Sequence, residues 1–272
     1  MKARKRFGQH FLEAAWVKKL VAAARLAPGD RVIEIGPGRG ALTVPLAAEV
    51  DRLLAVEVDR DLAAALEAEG LPNVTVVTGD FLDLDVEATA AAWLGAPLGP
   101  GNRVRVVGNL PYNISSPILF RLLELASATG GVTDAVLMLQ KEVADRLVAS
   151  PGTGEYGVLT VLASVHATVT QVLTLPPGAF RPPPKVWSSV VRLSFRPCPV
   201  PIADEAIFTR MVRTMFTQRR KTLGNALKPF AVGMRIPADE ALARAGIDPR
   251  RRPETLQLVE IAGLADVFAA AP

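Results

Sequence analysis

Short apolar runs rich in β-branched residues recur through the first half of the chain, and each ends at a glycine, an acid or an amide. Runs of this length and composition are typical of buried parallel strands. The predicted strands are Arg31–Ile35, Leu53–Glu57, Val74–Thr78, Val104–Val107 and Asp134–Leu139. Ligands bind at the carboxyl ends of such strands, so the residues that follow each run are the first candidates for a site.

The second half of the chain changes character. A serine cap and a proline in the first turn predict a helix from Ser116. Further predicted elements are helices at Val143–Val148 and Tyr156–His166 and strands at Val169–Leu175 and Ser188–Phe195. After the proline-rich segment 196–201 the pattern is helical. We therefore predict an α/β domain over residues 1–198 and a small all-helical domain over residues 199–272.

A glycine loop, Gly36-Pro37-Gly38-Arg39-Gly40, follows the first predicted strand and precedes a helix start. Glycines remove Cβ atoms where backbone must approach a ligand, and the helix start offers free N–H groups. A dinucleotide loop has the spacing G-x-G-x-x-G. The spacing G-x-G-x-G behind the acid Glu34 instead resembles the S-adenosylmethionine loop of Rossmann-like methyltransferases.

Two acids follow the next two strands. Glu57 lies about 20 residues beyond the loop, where an acid can accept both ribose hydroxyls. Asp80 can accept from an adenine amino group, with Phe81 supplying an apolar ring beside it. Each acid taken alone is better explained as a solvated turn or helix-cap residue. Their order at successive strand ends favours one shared ligand site.

The fourth strand leads into Asn109-Leu110-Pro111-Tyr112. The Asn109 side-chain oxygen and the Leu110 carbonyl can accept both N–H groups of an exocyclic amine, which turns the nitrogen lone pair towards an incoming methyl group. Pro111 stiffens the loop, and Tyr112 offers a face on which a base can stack. The segment therefore indicates methylation of an adenine-type amine, the alternative being an ordinary strand-to-loop turn.

The proline-rich connection 176–185 carries one aromatic residue, Phe180. Stiff extended backbone there can hold Phe180 opposite Tyr112, so that the two rings sandwich a flipped-out base. The alternative for Phe180 is a hydrophobic plug under a loop.

Charge is unevenly distributed over the 272 residues. Net charge is +5 over residues 1–19, −4 over residues 20–199 and +3 over residues 200–272. Basic flanks around a mildly acidic middle suggest that a polyanion is held from two sides, the alternative for any single cluster being a solvated basic surface. The densest triplet, Arg219-Arg220-Lys221, lies in a predicted amphipathic helix at 216–223 and is our candidate for RNA binding.

Composition argues against disulfide-bonded, metal-binding and membrane-spanning classes of protein. One cysteine, Cys198, cannot form an intrachain disulfide, and the histidines His10 and His166 are too far apart to suggest a metal cluster. The sequence has no apolar stretch of transmembrane length and no signal-peptide core after the basic start. We expect a cytoplasmic protein with no metal and no membrane partner.

Taken together, the motifs resemble those of the KsgA-type small-subunit ribosomal RNA adenine dimethyltransferases over nearly the whole chain. The segments that carry the resemblance are 7–12, 34–43, 56–59, 79–82, 108–115, 180–186 and 218–221. The resemblance implies a Rossmann-like class I methyltransferase sheet and S-adenosylmethionine contacts from His10, Leu12, Gly36, Glu57, Asp80 and Asn109. The neighbouring Glu34, Gly38 and Phe81 complete the predicted cofactor site. His10 departs from the family, which usually has asparagine there.

The same resemblance implies dimethylation of the N6 atoms of two adjacent adenines near the 3′ end of 16S rRNA, within a pre-30S particle and by a monomer. One alternative is an erythromycin-resistance-type methyltransferase acting on large-subunit rRNA. A second is an rRNA-binding assembly factor without turnover, and a third is an NAD-dependent dehydrogenase. The loop spacing disfavours the dehydrogenase, and the intact Asn109, Tyr112, Glu57 and Asp80 disfavour an inactive assembly factor.

Overall fold

The computed structural model describes residues 11–270. Its strands are β1 (Phe11–Leu12), β2 (Arg31–Ile35), β3 (Arg52–Glu57), β4 (Val74–Thr78), β5 (Val104–Asn109), β6 (Val132–Gln140), β7 (Ala167–Leu175), β8 (Phe180–Arg181) and β9 (Ser188–Phe195). Its helices are α1 (Ala14–Ala24), α2 (Thr43–Ala47), α3 (Arg60–Ala68), α4 (Val86–Leu94), α5 (Ser115–Thr129), α6 (Lys141–Leu147), α7 (Val158–His166), α8 (Glu205–Thr217), α9 (Leu223–Ala226), α10 (Lys228–Ala231), α11 (Ala238–Arg244) and α12 (Leu258–Ala269). The strands and helices predicted up to residue 195 are confirmed, with small differences at their ends apart from the longer α5.

The main sheet has the strand order β4-β3-β2-β5-β6-β9-β7. Strands β2 to β6 pair in parallel, and β9 runs antiparallel to β6. The chain winds outwards from β2 to β4 and then returns to place β5 on the other side of β2. The carboxyl ends of β2 and β5 therefore flank a topological switch point, which is where open α/β sheets bind ligands. The predicted Rossmann-like sheet is confirmed.

Close contact between β2 and β5 depends on Gly108. A Cβ atom at this position would lie 3.0 Å from the Ile35 carbonyl oxygen and 3.3 Å from the Ile35 Cβ. Only glycine fits without displacing the backbone, so the two strands bring the glycine loop and Asn109 to the same sheet edge.

Helix α1 is tied to the amino-terminal edge of the sheet by two partly buried arginines. Arg105 and Arg192 both pair with Asp134, and both donate to the carbonyl of Ala24 at the end of the helix. Cations suit this end of a helix because its last carbonyls lack intrahelical partners. The hydrogen bond to Asp134 raises the pKa of Arg105 above its ordinary value, so the guanidinium stays charged. The network fixes the helix that follows Leu12.

The chain divides into two compact units, which differ from the predicted domains in one segment. The first comprises residues up to 144 together with 168–196, and the second comprises 145–167 together with residues from 197 onwards. The second unit is helical, with Phe208, Met211 and Phe268 in its core. Residues 145–167 join it because Tyr156 is buried there and donates to the Leu256 carbonyl at 2.9 Å.

Two further structural observations concern residues 11–270. None of their helices combines the length and apolar composition that crossing a bilayer requires. Nor do these residues contain a group of three histidine, cysteine or acidic side chains arranged to hold a metal ion.

Candidate functional site

One cavity lies at the carboxyl ends of β2, β3, β4 and β5. Its walls include most of the residues predicted from the sequence: Leu12, Gly36, Gly38, Glu57, Asp80, Phe81, Asn109, Leu110, Pro111 and Tyr112. Residues from separate chain segments thus meet in one place, as expected for a ligand site at a switch point.

The glycine loop forms one wall of the cavity. Gly36 and Gly38 have φ angles of 69° and 60°, in the left-handed region that residues with a Cβ rarely adopt. The Gly36 N–H donates to the Val56 carbonyl, and the Gly38 N–H donates to Glu57 Oε2, both at 2.9 Å. The loop is therefore folded back onto the end of β3.

Glu57 is a buried carboxylate, 5% exposed, at the end of β3. Its Oε2 accepts from Gly38, and its Oε1 accepts from the Asp59 N–H at 2.9 Å. These two bonds offset the cost of burying the charge. Each carboxylate oxygen can accept a further hydrogen bond, so Glu57 can also bind a pair of hydroxyls.

Asp80 and Phe81 form the wall at the end of β4. Asp80 Oδ1 accepts from the Leu82 N–H at 2.9 Å and so fixes the turn that follows the strand. Phe81 is buried while still lining the cavity. The turn thus presents a carboxylate beside an aromatic ring, a combination suited to an adenine base.

Glu34 lies beneath the cavity and does not line it. The side chain is 1% exposed, and neither carboxyl oxygen hydrogen-bonds to any described residue. Burial raises the pKa of Glu34 to about 8, with the Thr43 hydroxyl opposing and the Glu57 charge adding to the shift. Glu34 is thus a neutral acid under the loop at pH 7, and its predicted direct contact with the cofactor is not supported.

The segment Asn109–Tyr112 closes the cavity at the end of β5. The Leu110 N–H donates to the Met138 carbonyl at 3.1 Å, and the Ile114 N–H donates to the Pro111 carbonyl at 3.2 Å. The Tyr112 hydroxyl lies 2.6 Å from the Ser188 hydroxyl. Burial raises the pKa of Tyr112, with the Ser188 hydrogen bond opposing, so the phenol stays protonated at neutral pH. The loop is held at three points.

Similarity to known proteins shows the family of this chain. The sequence model described as ribosomal RNA adenine dimethylase matches residues 1–264. The chain belongs to the ribosomal RNA adenine dimethylase family. The cofactor of this family is S-adenosylmethionine.

Members of the adenine dimethylase family are similar in sequence to this chain over almost its whole length. The ribosomal RNA small subunit methyltransferase A of Acinetobacter baylyi is 48% identical, covering 97% of this chain and 92% of that protein. The protein of the same name from Geobacter sulfurreducens is 45% identical, covering 100% and 97%. Relatives at this identity place the chain firmly within the family.

Solved structures agree with this assignment. A dimethyladenosine transferase from Plasmodium falciparum has a TM-score of 0.75 at 25% identity, covering 94% of this chain and 96% of that one. The 23S rRNA methyltransferase ErmE has a TM-score of 0.66 at 26% identity, covering 95% and 99%. Both structures are matched through both units of this chain.

The cavity fits the cofactor of the adenine dimethylase family. Gly36 and Gly38 line the cavity without a Cβ atom, so an amino-acid moiety can approach their backbone closely. Glu57 provides acceptors suited to ribose hydroxyls, and the Asp80–Phe81 pair suits an adenine ring. We therefore assign these residues, with Leu12 and Asn109, as the proposed S-adenosylmethionine site.

Phe180 is placed differently from its prediction. The side chain is 0% exposed, lies in the core with Val17, Leu20 and Leu175, and does not line the cavity. Strand β8 pairs with β1, so that Phe180 stands opposite Leu12. A base cannot stack on a ring that is covered on both faces. The sandwich of Tyr112 and Phe180 is not supported, and the alternative of a hydrophobic plug describes this residue.

The basic triplet also differs from its prediction, because it lies outside the helix. Helix α8 ends at Thr217, and residues 218–221 form a turn closed by the Lys221 N–H donating to the Gln218 carbonyl at 2.8 Å. Arg219 donates to the carbonyls of Thr153 and Gly154, whereas Arg220 and Lys221 are exposed. The triplet therefore divides into one arginine that anchors a loop and two cations that face solvent.

Two residues remain to be placed. His10 lies outside the described residues. Ser188, whose hydroxyl contacts that of Tyr112, is predicted as the start of a strand but not as a site residue. The available signal was a pair of serines, Ser188 and Ser189, at the head of an otherwise apolar strand.

Proposed function

We propose that this protein dimethylates the N6 atoms of two adjacent adenines near the 3′ end of 16S rRNA during assembly of the small ribosomal subunit. The observation that carries the proposal is that Asn109, Leu110, Pro111 and Tyr112 share one cavity with the glycine loop, Glu57 and Asp80. The amine-binding loop and the cofactor site are thus adjacent, as methyl transfer requires.

The chemistry follows from the groups in this cavity. S-adenosylmethionine supplies an electrophilic methyl group when bound. In the first transfer the Asn109 side-chain oxygen and the Leu110 carbonyl accept the two N–H groups of the adenine, which favours a tetrahedral nitrogen with its lone pair towards the methyl group. The methylated nitrogen then loses one proton to solvent, and one N–H remains to be accepted in the second transfer. Tyr112 stacks on the adenine ring. Because its phenol is protonated, Tyr112 does not act as a general base.

The small-subunit substrate is supported by the relatives. Proteins named for the small subunit are 43–48% identical to this chain, whereas the 23S rRNA methyltransferase is 26% identical. The fold accommodates both substrates, so the preference rests on sequence similarity. We further propose that the protein acts as a cytoplasmic monomer on a pre-30S particle.

A direct test is incubation of the protein with labelled S-adenosylmethionine and unmethylated small subunits, followed by mass spectrometry of the rRNA fragments. The expected product is dimethyladenosine at two neighbouring positions near the 3′ end. Modification of large-subunit rRNA instead would favour the erythromycin-resistance alternative. Cofactor binding with no methyl transfer to either subunit would favour the assembly-factor alternative.

A further inference from the structure

We propose that Trp187 is a substrate-positioning residue that stacks on a nucleobase flanking the target adenine. The inference rests on the proposed function, because it requires a single-stranded nucleic acid at the cavity. Trp187 is 51% exposed and follows Val186, which is also exposed. Large apolar side chains are costly to expose, so an exposed pair beside a site marks a surface that a partner covers.

The backbone on either side of Trp187 is held in place. Its carbonyl accepts from the Lys141 N–H at 2.8 Å. Its neighbour Ser188 is fully buried and bonds to the Tyr112 hydroxyl at 2.6 Å. An anchored backbone lowers the entropic cost of immobilising the indole against a ligand.

The sheet register places Trp187 at the same edge as the methyl-transfer loop. Asn109 is opposite Met138, Met138 is opposite Val190, and Ser188 is opposite Gln140. Ser188 lies two strands away from Asn109, at about 4.8 Å per strand, and two residues further along, at about 3.4 Å per residue. The Cα atoms of Asn109 and Ser188 are therefore about 12 Å apart. When the target base of an RNA strand enters the cavity, the bases that flank it therefore lie within reach of the Trp187 indole.

The charges around Trp187 suit an RNA strand better than an apolar protein surface. Lys185 and Lys141 are exposed beside it, and Glu142 is the one acid next to them in the sequence. Aromatic side chains interspersed with cations are the usual platform for unpaired nucleic acid, because the cations follow the phosphates while the rings stack on the bases. We therefore favour an unpaired base over a protein partner as the occupant.

The first test compares steady-state methylation of unmethylated small subunits by the wild type, Trp187→Ala and Trp187→Phe. We expect Trp187→Ala to raise KM about 5- to 100-fold, the effect of removing one base–aromatic stack. The kcat should stay near the wild-type value, and Trp187→Phe should recover most of the affinity. The matched control is Val172→Ala, an exposed apolar residue of β7 that lies outside the cavity walls, which should leave KM unchanged.

The second test reads the stacking directly. In a Trp16→Phe/Trp93→Phe background Trp187 is the only tryptophan, and octa-adenylate should quench its fluorescence. Unchanged KM in Trp187→Ala together with no quenching would overturn the inference while leaving the proposed function intact. Weaker S-adenosylmethionine binding or lower thermal stability in Trp187→Ala would also overturn it, in favour of a structural role. Absence of any wild-type methylation would instead refute the proposed function.

Discussion

The Tyr112 hydroxyl and the Ser188 hydroxyl lie 2.6 Å apart, which joins the loop after β5 to the first residue of β9. Ser188 is fully buried, so the contact fixes the phenol from below the cavity rim. The residues are 76 positions apart in the chain. The orientation of the proposed base-stacking ring therefore depends on a strand none of whose residues lines the cavity.

Replacing Ser188 with alanine should lower kcat/KM for methylation about 3- to 10-fold, since one hydrogen bond contributes about 1 kcal/mol. S-adenosylmethionine affinity should not change. Tyr112→Phe should have a similar effect, and the double variant should be no worse than either single one. Ser189→Ala is the matched control, because Ser189 is equally buried but bonds to Gln171. An equal decrease in both serine variants would refute the positioning role.

Replacing Glu57 with alanine should weaken S-adenosylmethionine binding by about 1.5–3 kcal/mol, the scale of hydrogen bonds to a charged group. The structure adds a second reason, since the variant also releases the Gly38 N–H that shapes the loop. Calorimetry on the folded protein measures the change. Asp85→Ala is the control, because Asp85 also accepts from a backbone N–H, that of Ala88, but lies outside the cavity. Unchanged affinity would remove Glu57 from the cofactor site.

Replacing Asn109 with alanine should slow single-turnover methyl transfer about 100-fold or more while leaving rRNA binding nearly intact, because it removes an acceptor needed as the amine becomes tetrahedral. Asn113→Ala is the comparison, since Asn113 lines the same cavity but is exposed. A rate within a few-fold of the wild type at saturating cofactor and RNA would contradict the proposed role.

The basic turn should separate into two behaviours. Arg220→Ala/Lys221→Ala should weaken small-subunit binding and flatten the plot of log affinity against log salt by about 0.7–0.9 for each phosphate that the variant no longer binds. Arg219→Ala should instead lower the melting temperature by about 2–4 °C, because it releases the carbonyls of Thr153 and Gly154. An unchanged salt slope in the double variant would assign these two cations to a solvated surface.

Glu34 should make stability depend on pH. Its pKa in the folded protein is raised from 4.5 to about 8, so the unfolded chain loses the proton first as pH rises. The folded state is thus penalised progressively between about pH 4.5 and 8, by at most about 5 kcal/mol. Glu34→Gln removes this titration, so its stability relative to the wild type should increase over that interval. Urea denaturation at pH 5 and pH 8 measures the free energy of unfolding of both proteins. If Glu34→Gln differs from the wild type by the same amount at the two pH values, the Glu34 carboxyl is not neutral in the folded protein.

The sequence determined the parts of the protein that depend on local pattern. The runs ending at Ile35, Glu57, Thr78 and Val107 are strands because β-branched residues favour buried extended backbone. Glycine spacing and the acids at strand ends were enough to predict the cavity wall, since parallel strands direct successive loops to one edge. The position of Asn109 and Tyr112 in the cavity wall was predictable for the same reason, because they follow the run that ends at Val107.

Tertiary packing decided what no local pattern contains. The ring of Phe180 faces the core because β8 pairs with β1, and Glu34 is neutral because the fold buries it. Residues 145–167 pack with the helical unit, although they precede two strands of the sheet. Contacts such as that of Tyr112 with Ser188 join distant segments, and only the folded chain brings such segments together.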